Sequence, residues 1–298
     1  MIDLQVNGYL GCDFSAQDLK KEDFINTCNI YLKEGADQFL PTIITADLDT
    51  YKKNISLMVD SIENNFTEKQ IPGLHLEGPF LSPKPGAIGA HQPDCVINPD
   101  SETLKKLQDW AKGKIKLLTI AADQPDADEL CKTARQLNIK ISLGHHLANY
   151  DDLEKCYQAG AQYLTHLGNG MPNMVSRHDN PLIAGLCHKD LIPMLIADGF
   201  HLPEFLLKGI ITLKGIDNVI IVSDASSMAG MPPGKYFSMG NNIVLEDSGL
   251  LHNPEKACLV GSSFSLKKCT DYLSNNLGYS KEDILAMVQT NTLSVIKS

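Results

Sequence analysis

The sequence predicts an α/β protein in which eight parallel strands and their helices close into a (β/α)8 TIM-type barrel. Two observations carry this expectation. Short apolar, β-prone runs alternate with amphipathic stretches from the first residues almost to the last, the pattern of a parallel sheet with helical crossovers. Gln5, Glu77, His145, His166, Asp198 and Asp224 fall at or just past the ends of six different runs. Bringing many strand ends together on one face is what a barrel does, whereas an open sheet spreads them along an edge. An open doubly wound sheet is therefore the second choice.

Strands are expected at 2–6, 38–42, 73–76, 115–120, 140–143, 162–165, 193–197 and 219–222. Between them, helical periodicity occupies 22–34, 48–64, 101–112, 127–137, 150–159, 181–189 and 203–213. Asp100-Ser101 before Glu102, and Asn149 before Asp151-Asp152, are helix start signals. Gly160 and Gly215 are plausible stops. Past Asp224, the turn Pro232-Pro233-Gly234 leads into a hairpin excursion over about 235–258. Two helices are expected after it, at 264–275 and 281–296. The longest irregular stretches, 79–100 and 167–182, directly follow polar strand ends; loops of that length in a compact barrel are usually binding loops or lids. The whole of 1–298 reads as one domain, because α/β barrels commonly reach this length as a single unit.

Composition narrows the function classes. Of 298 residues, 43% are apolar and 21% charged, as in an ordinary globular protein. The formal net charge of −10, without a basic block, argues against nucleic acid and acidic membrane surfaces as partners. The eight cysteines, at 12, 28, 95, 131, 156, 187, 258 and 269, include no CxxC pair and read as reduced, mostly buried thiols. There is no apolar run of membrane-spanning length and no basic-then-apolar leader, so a cytoplasmic location is expected.

One carboxylate and two imidazoles at strand ends are a frequent three-ligand set for a catalytic divalent metal with an open position for water. Glu77 stands in Gly73-Leu74-His75-Leu76-Glu77-Gly78-Pro79-Phe80 and His166 in Thr165-His166-Leu167-Gly168-Asn169. The third ligand is one of His145 and His146, since alternation sends neighbouring strand side chains to opposite faces. Asp224 is a fourth ligand, a general base, or a cap for the Ala225-Ser226-Ser227 turn. His201 precedes a helix and could be a capping neighbour. His91 sits inside a long loop, and His75 shares the Glu77 face of its strand. Arg177 and His178 read as a solvated pair unless the ligand carries phosphate or carboxylate. No nucleophile elbow, P-loop or GxGxxG is present.

These motifs and their order resemble the N-acetylglucosamine-6-phosphate deacetylases of the amidohydrolase superfamily. The resemblance runs along the whole chain. It is carried by Asp3-Leu4-Gln5-Val6-Asn7-Gly8-Tyr9, Phe39-Leu40-Pro41-Thr42-Ile43-Ile44-Thr45, the Glu77 motif, Gly89-Ala90-His91 and Leu143-Gly144-His145. Further on it is carried by Thr165-His166-Leu167-Gly168-Asn169-Gly170-Met171, Ile196-Ala197-Asp198-Gly199-Phe200-His201, Ser223-Asp224-Ala225 and Leu259-Val260-Gly261-Ser262.

The resemblance implies a homodimeric hydrolase that removes acetate from an N-acetylated amino sugar 6-phosphate. It implies Glu77, His145 and His166 as ligands of one divalent metal, zinc first, with iron, manganese or cobalt as alternatives. It makes Asp224 the catalytic base and then acid, and His91 the group that polarises the acetamide carbonyl. Ala90, Asn169, Gly170, Asp198, His201, Leu259, Val260 and Gly261 would meet the sugar, and Arg177 the phosphate. Gln5 and Asn7 stand where two-metal relatives have a His-x-His pair, which implies a single metal. Family members usually add a small β-sandwich, which is not expected here. Gly168-Asn169-Gly170 replaces a usual Tyr-Asn-Ala, and His178-Asp179-Asn180 follows Arg177 in place of Glu-Pro. An unphosphorylated or different N-acyl substrate, or a non-catalytic sugar-binding barrel, are the alternatives.

Overall fold

The computed structural model describes residues 1–238 and 241–297. Eight strands run parallel in sequence order: Ile2–Val6, Gln38–Ile44, Leu74–Glu77, Ile115–Ile120, Lys140–Leu143, Ala161–Leu164, Ile192–Ile196 and Ile220–Val222. They curl into a nearly closed barrel, as the polar strand ends predict. Among the described residues the first and last strands share no continuous ladder. The seam is held instead by a single bridge between Val6 and Ala225, by Asn7 N–H donating to the Ala225 carbonyl at 2.8 Å, and by Ser223 N–H donating to the Asp3 carboxylate at 3.1 Å.

The outer helices are Lys21–Lys33, Leu48–Asn65, Ser101–Trp110, Ala127–Gln136, Tyr150–Ala159, Pro181–Cys187 and Glu204–Lys214. Asp47, Asp100 and Asn149 accept first-turn amides, which satisfies donors that the helix itself leaves unpaired. Their apolar faces meet the outward face of the strands in one large core that includes Phe24, Tyr51, Ile55, Leu104, Leu130, Leu153 and Leu207.

Inside the barrel, side chains are layered. The floor is apolar: Ile2, Leu4, Leu40, Leu117, Tyr163, Met194, Ile220 and Val222, plugged by Val295 of the terminal helix Leu293–Ile296. Above it lies a polar layer. His75 meets Thr119 at 2.9 Å and the Leu4 carbonyl at 3.1 Å, and Thr119 meets Thr165 at 2.7 Å, which donates to Ser142 at 2.6 Å. Burial lowers the His75 pKa to about 4, so its imidazole is a neutral cross-link rather than a charge. The third layer, at the strand C-termini, carries the candidate site.

Two expectations about the last third change. The hairpin excursion is a four-stranded antiparallel sheet of Gly234–Ser238, Asn241–Leu245, Leu251–Asn253 and Cys258–Leu259. Its later strands are only two or three residues long, too short to show a period in sequence. The single helix expected at 281–296 is interrupted, running as Lys281–Leu285, a π turn over Ala286–Thr290, and Leu293–Ile296. Ile243, Leu245, Leu251 and Val260 of the sheet region pack on Met228 and Ala90, which sets this sheet beside the strand ends.

Candidate metal centre

Glu77 closes the third strand because the chain turns sharply after it. Gly78 has φ +96°, and a Cβ there would lie 2.2 Å from the Thr45 hydroxyl, so only glycine lets the strand end here. His145, His166 and Asp224 follow their strands in left-handed conformations, with φ of +52°, +29° and +51°. Non-glycine residues reach that region only when their surroundings over-determine them, and such residues concentrate at functional sites.

The result is a convergence of acceptor atoms. His166 Nε2 lies 2.9 Å and His145 Nε2 3.2 Å from Glu77 Oε1, and the two Nε2 atoms are 3.1 Å apart. All three side chains are buried. His145 Nδ1 is 2.7 Å from the Ala87 carbonyl, which fixes its proton there and leaves Nε2 a bare lone pair, the arrangement of a metal-ligating imidazole. Two imidazole nitrogens and a carboxylate oxygen packed this closely offer a cation three ligand atoms at once. Donors bound at about 2.0–2.1 Å to one tetrahedral ion stand about 3.4 Å apart, so the triad fits a divalent metal. Burial pushes the Glu77 carboxyl up, and the adjoining His145 and His166 overcome this, holding it well below the usual carboxylate range. His166 is pulled down by burial and raised, on balance, by the same carboxylate.

The ambiguity between neighbouring histidines resolves in favour of His145. His146 turns away, and its Nδ1 accepts from the Ala148 amide at 3.1 Å. His91 reaches the centre from the long loop, its Nε2 3.2 Å from His145 Nε2 and 3.7 Å from Glu77 Oε2. Burial, with His145 adding to it, lowers its pKa to about 3. Asp224 faces the triad across the cavity. Gln5 Nε2 donates to its Oδ1 at 2.9 Å and Asn7 Nδ2 to the same oxygen at 2.7 Å. Two amides, one on the first strand and one just after it, therefore hold the carboxylate, a role for them that spacing alone does not reveal. Burial and the Glu77 charge push the Asp224 pKa up to about 6.

Asn7, Glu77, His91, His145, His166 and Asp224 line a cavity of about 450 Å³. Ala90, Asn169, Gly170, His201, Leu259 and Gly261, for which sugar contacts were expected, share the lining, and so do Met171, Asn173, Phe200 and Lys256. Three expected contacts lie elsewhere. Val260 is fully buried in the apolar cluster beneath the sheet. Asp198 is behind His201: its Oδ2 sits 2.7 Å from His201 Nδ1 and accepts from Ser262 at 2.8 Å, and its Oδ1 takes the Phe200 and His201 amides. Burial pushes Asp198 up, but His201 and these bonds hold it at about 2. Arg177 is exposed on its loop and does not line the cavity. Sequence reasoning missed Lys256; its only signal was a position three residues before Leu259. A larger cleft of about 950 Å³ adjoins the site across Ile44 and Ala90, but contains none of the triad.

No family model matches the chain. The N-acetylglucosamine-6-phosphate deacetylase of Lysinibacillus sphaericus is 28% identical over 297 residues, covering 99% of this chain and 75% of that one. The enzyme of the same name from Haemophilus influenzae is 30% identical over 252 residues, 83% of this chain and 63% of its own. The crystal structure of the Pasteurella multocida N-acetylglucosamine-6-phosphate deacetylase superposes with a TM-score of 0.88 at 27% identity, covering 99% of this chain and 75% of that one. Relatives found by sequence and by structure thus agree over nearly the whole chain, including the strand ends that carry the buried triad; the chain belongs to the N-acetylglucosamine-6-phosphate deacetylase family.

Proposed function

We propose that the protein is a metal-dependent amide hydrolase that removes acetate from N-acetylglucosamine 6-phosphate, the substrate class named for its relatives. The observation that carries this reading is Asp224, held by two amide donors across a small cavity from a buried Glu/His/His triad. Glu77, His145 and His166 would hold the ion, for which we propose zinc over iron, manganese or cobalt. When bound, the ion supplies a water of lowered pKa and a Lewis acid for the acyl oxygen.

The chain's own residues do the rest. Because Gln5 and Asn7 both occupy Oδ1 of Asp224, Oδ2 is left to the cavity as the proton carrier. It takes a proton from the attacking water and delivers it to the leaving nitrogen. A carboxylate poised towards neutrality suits both transfers. His91, held neutral by burial, can donate one N–H to the acyl oxygen without adding charge beside the metal. His201, oriented by Asp198, and Asn169 face the sugar. The same reading places the protein in the cytoplasm, where its cysteines, all free in the structure, stay reduced.

The test is acetate release by metal-loaded protein. Asp224→Asn keeps the shape and both amide contacts within reach but cannot accept the proton; kcat is expected to fall by at least about 10³-fold with metal content unchanged by elemental analysis. Turnover near that of the wild type in this variant would overturn the assignment.

A further inference from the structure

We infer that Asp123 and Lys84 are a positioning pair for the metal centre: together they anchor the turn that carries both the carbonyl set against His145 and the imidazole of His91. This rests on the reading above, in which His145 holds the metal and His91 serves the acyl oxygen, and it names what fixes both from outside the cavity.

The fourth barrel strand, Ile115–Ile120, sends no residue into the cavity. Just past its end stands Asp123, whose side chain is 6% exposed. Its Oδ2 accepts from Lys84 Nζ at 3.0 Å and from the buried Ser82 hydroxyl at 3.3 Å. Gln124 Nε2 donates to that hydroxyl at 3.3 Å and to Asp123 Oδ1 at 3.4 Å. Among the described residues Lys84 is the one ion-pair partner of this carboxylate. An ion pair between two exposed groups holds little. A buried carboxylate is different, because losing its one cation leaves the charge uncompensated. The pair therefore ties the long loop after Glu77 to the rim of the barrel.

From Lys84 the constraint passes along one turn. The Lys84 carbonyl accepts the Ile88 amide at 3.1 Å, and the Ile88 carbonyl accepts the His91 amide at 3.2 Å. Between these bonds lies Ala87, whose carbonyl is 2.7 Å from His145 Nδ1. The Ser82 amide donates to the His145 carbonyl at 3.1 Å, so the loop meets this ligand through backbone and ring alike. Main-chain bonds thus fix Lys84, Ala87 and His91 relative to one another, and Asp123 fixes the set relative to the strands. The supporting contact of a metal-ligating imidazole sets its orientation and tautomer, and a group aimed at a reacting atom loses most of its effect on a small displacement. Neither Lys84 nor Asp123 lines the cavity, so their effect runs through His145 and His91 and not through contact with substrate.

The experiment uses the full chain as wild type, Lys84→Met, Lys84→Arg and Asp123→Asn. Lys84 is half-exposed, so removing its charge leaves the core packing intact. Hydrogen exchange read by mass spectrometry should show the 79–91 segment opening at least about tenfold more readily in Lys84→Met and Asp123→Asn, while peptides from the barrel floor exchange as in wild type. Zinc affinity, measured by competition with a chelator, should weaken about tenfold in both. With metal saturating, kcat for N-acetylglucosamine 6-phosphate should fall about tenfold with KM nearly unchanged. Lys84→Arg should restore all three readings. A merely structural pair would lower the melting temperature without moving zinc affinity or kcat. That outcome, or exchange of 79–91 equal to that of wild type, would overturn the inference. Neither exchange nor zinc affinity needs turnover, so a wild type that binds zinc but releases no acetate would sink the deacetylase reading alone. A wild type that takes up no divalent metal would sink both.

Discussion

At the residue scale, the site is made by what its neighbours leave out as much as by its ligands. Gly170 has φ +62°, and a Cβ there would lie 2.9 Å from Nδ1 and 3.1 Å from Cγ of His145. The ring cannot move aside without losing its 2.7 Å contact with the Ala87 carbonyl, which sets the tautomer that frees Nε2. Gly170→Ala should therefore weaken metal binding about 10-fold or more, the cost usual for disturbing a ligand's supporting contact. Dialysis against a metal buffer followed by elemental analysis would check it; full occupancy at the wild-type concentration would show that the ring tolerates the methyl. The same local crowding explains why sequence distinguished the histidines so poorly. Parity along a strand offers no choice between His145 and His146 once the chain leaves extended geometry, and His145 lies at φ +52°. Lys256 was illegible for a different reason: its distance from the cavity is set by a turn and a separate sheet, not by any local pattern.

At the element scale, the eight strands were readable because each is a short apolar run bounded by turn residues, and six of them deliver a polar residue. Their ends moved by a residue or two where the run continues past the first polar position, as in the second strand, which extends to Ile44 rather than stopping at 42. The antiparallel sheet after Asp224 and the π turn at Ala286–Thr290 were not readable, since neither leaves a period. The short helix Leu293–Ile296 has a role that its sequence hides: Val295, 2% exposed, fills the barrel floor beside Leu4, Leu117 and Val222. Val295→Ala removes two methyl groups from a packed layer and is expected to cost about 2 kcal/mol. Because the His75–Thr119–Thr165–Ser142 layer stands between floor and metal ligands, kcat at 25 °C should hold while the melting temperature drops by several degrees. Calorimetry alongside an acetate assay reads both, and a parallel loss of activity would mean that the polar layer transmits strain rather than absorbing it.

At the scale of the whole molecule, the barrel is continuous from its first strand through its eighth, and then joins only weakly. The two strands at the seam meet through one bridge, one backbone hydrogen bond and side-chain contacts of Asp3, Gln5 and Ser223. Asp224 leaves the eighth strand, while the amides that hold its Oδ1 come from Gln5 and Asn7 on and just after the first. Asp224, which we propose as the proton carrier, thus spans the least-bonded joint in the ring. Local opening costs less than global unfolding wherever few bonds must break, so catalysis and fold should fail at different thresholds. In a urea titration, activity is expected to vanish at lower denaturant than the fluorescence change of Trp110, the only tryptophan, which packs against the outer core on the Ser101–Trp110 helix. Coincident curves would mean that the joint opens only when everything does. If they separate, the enzyme carries its fuse in its seam, and a stress too mild to unfold the protein would still switch it off.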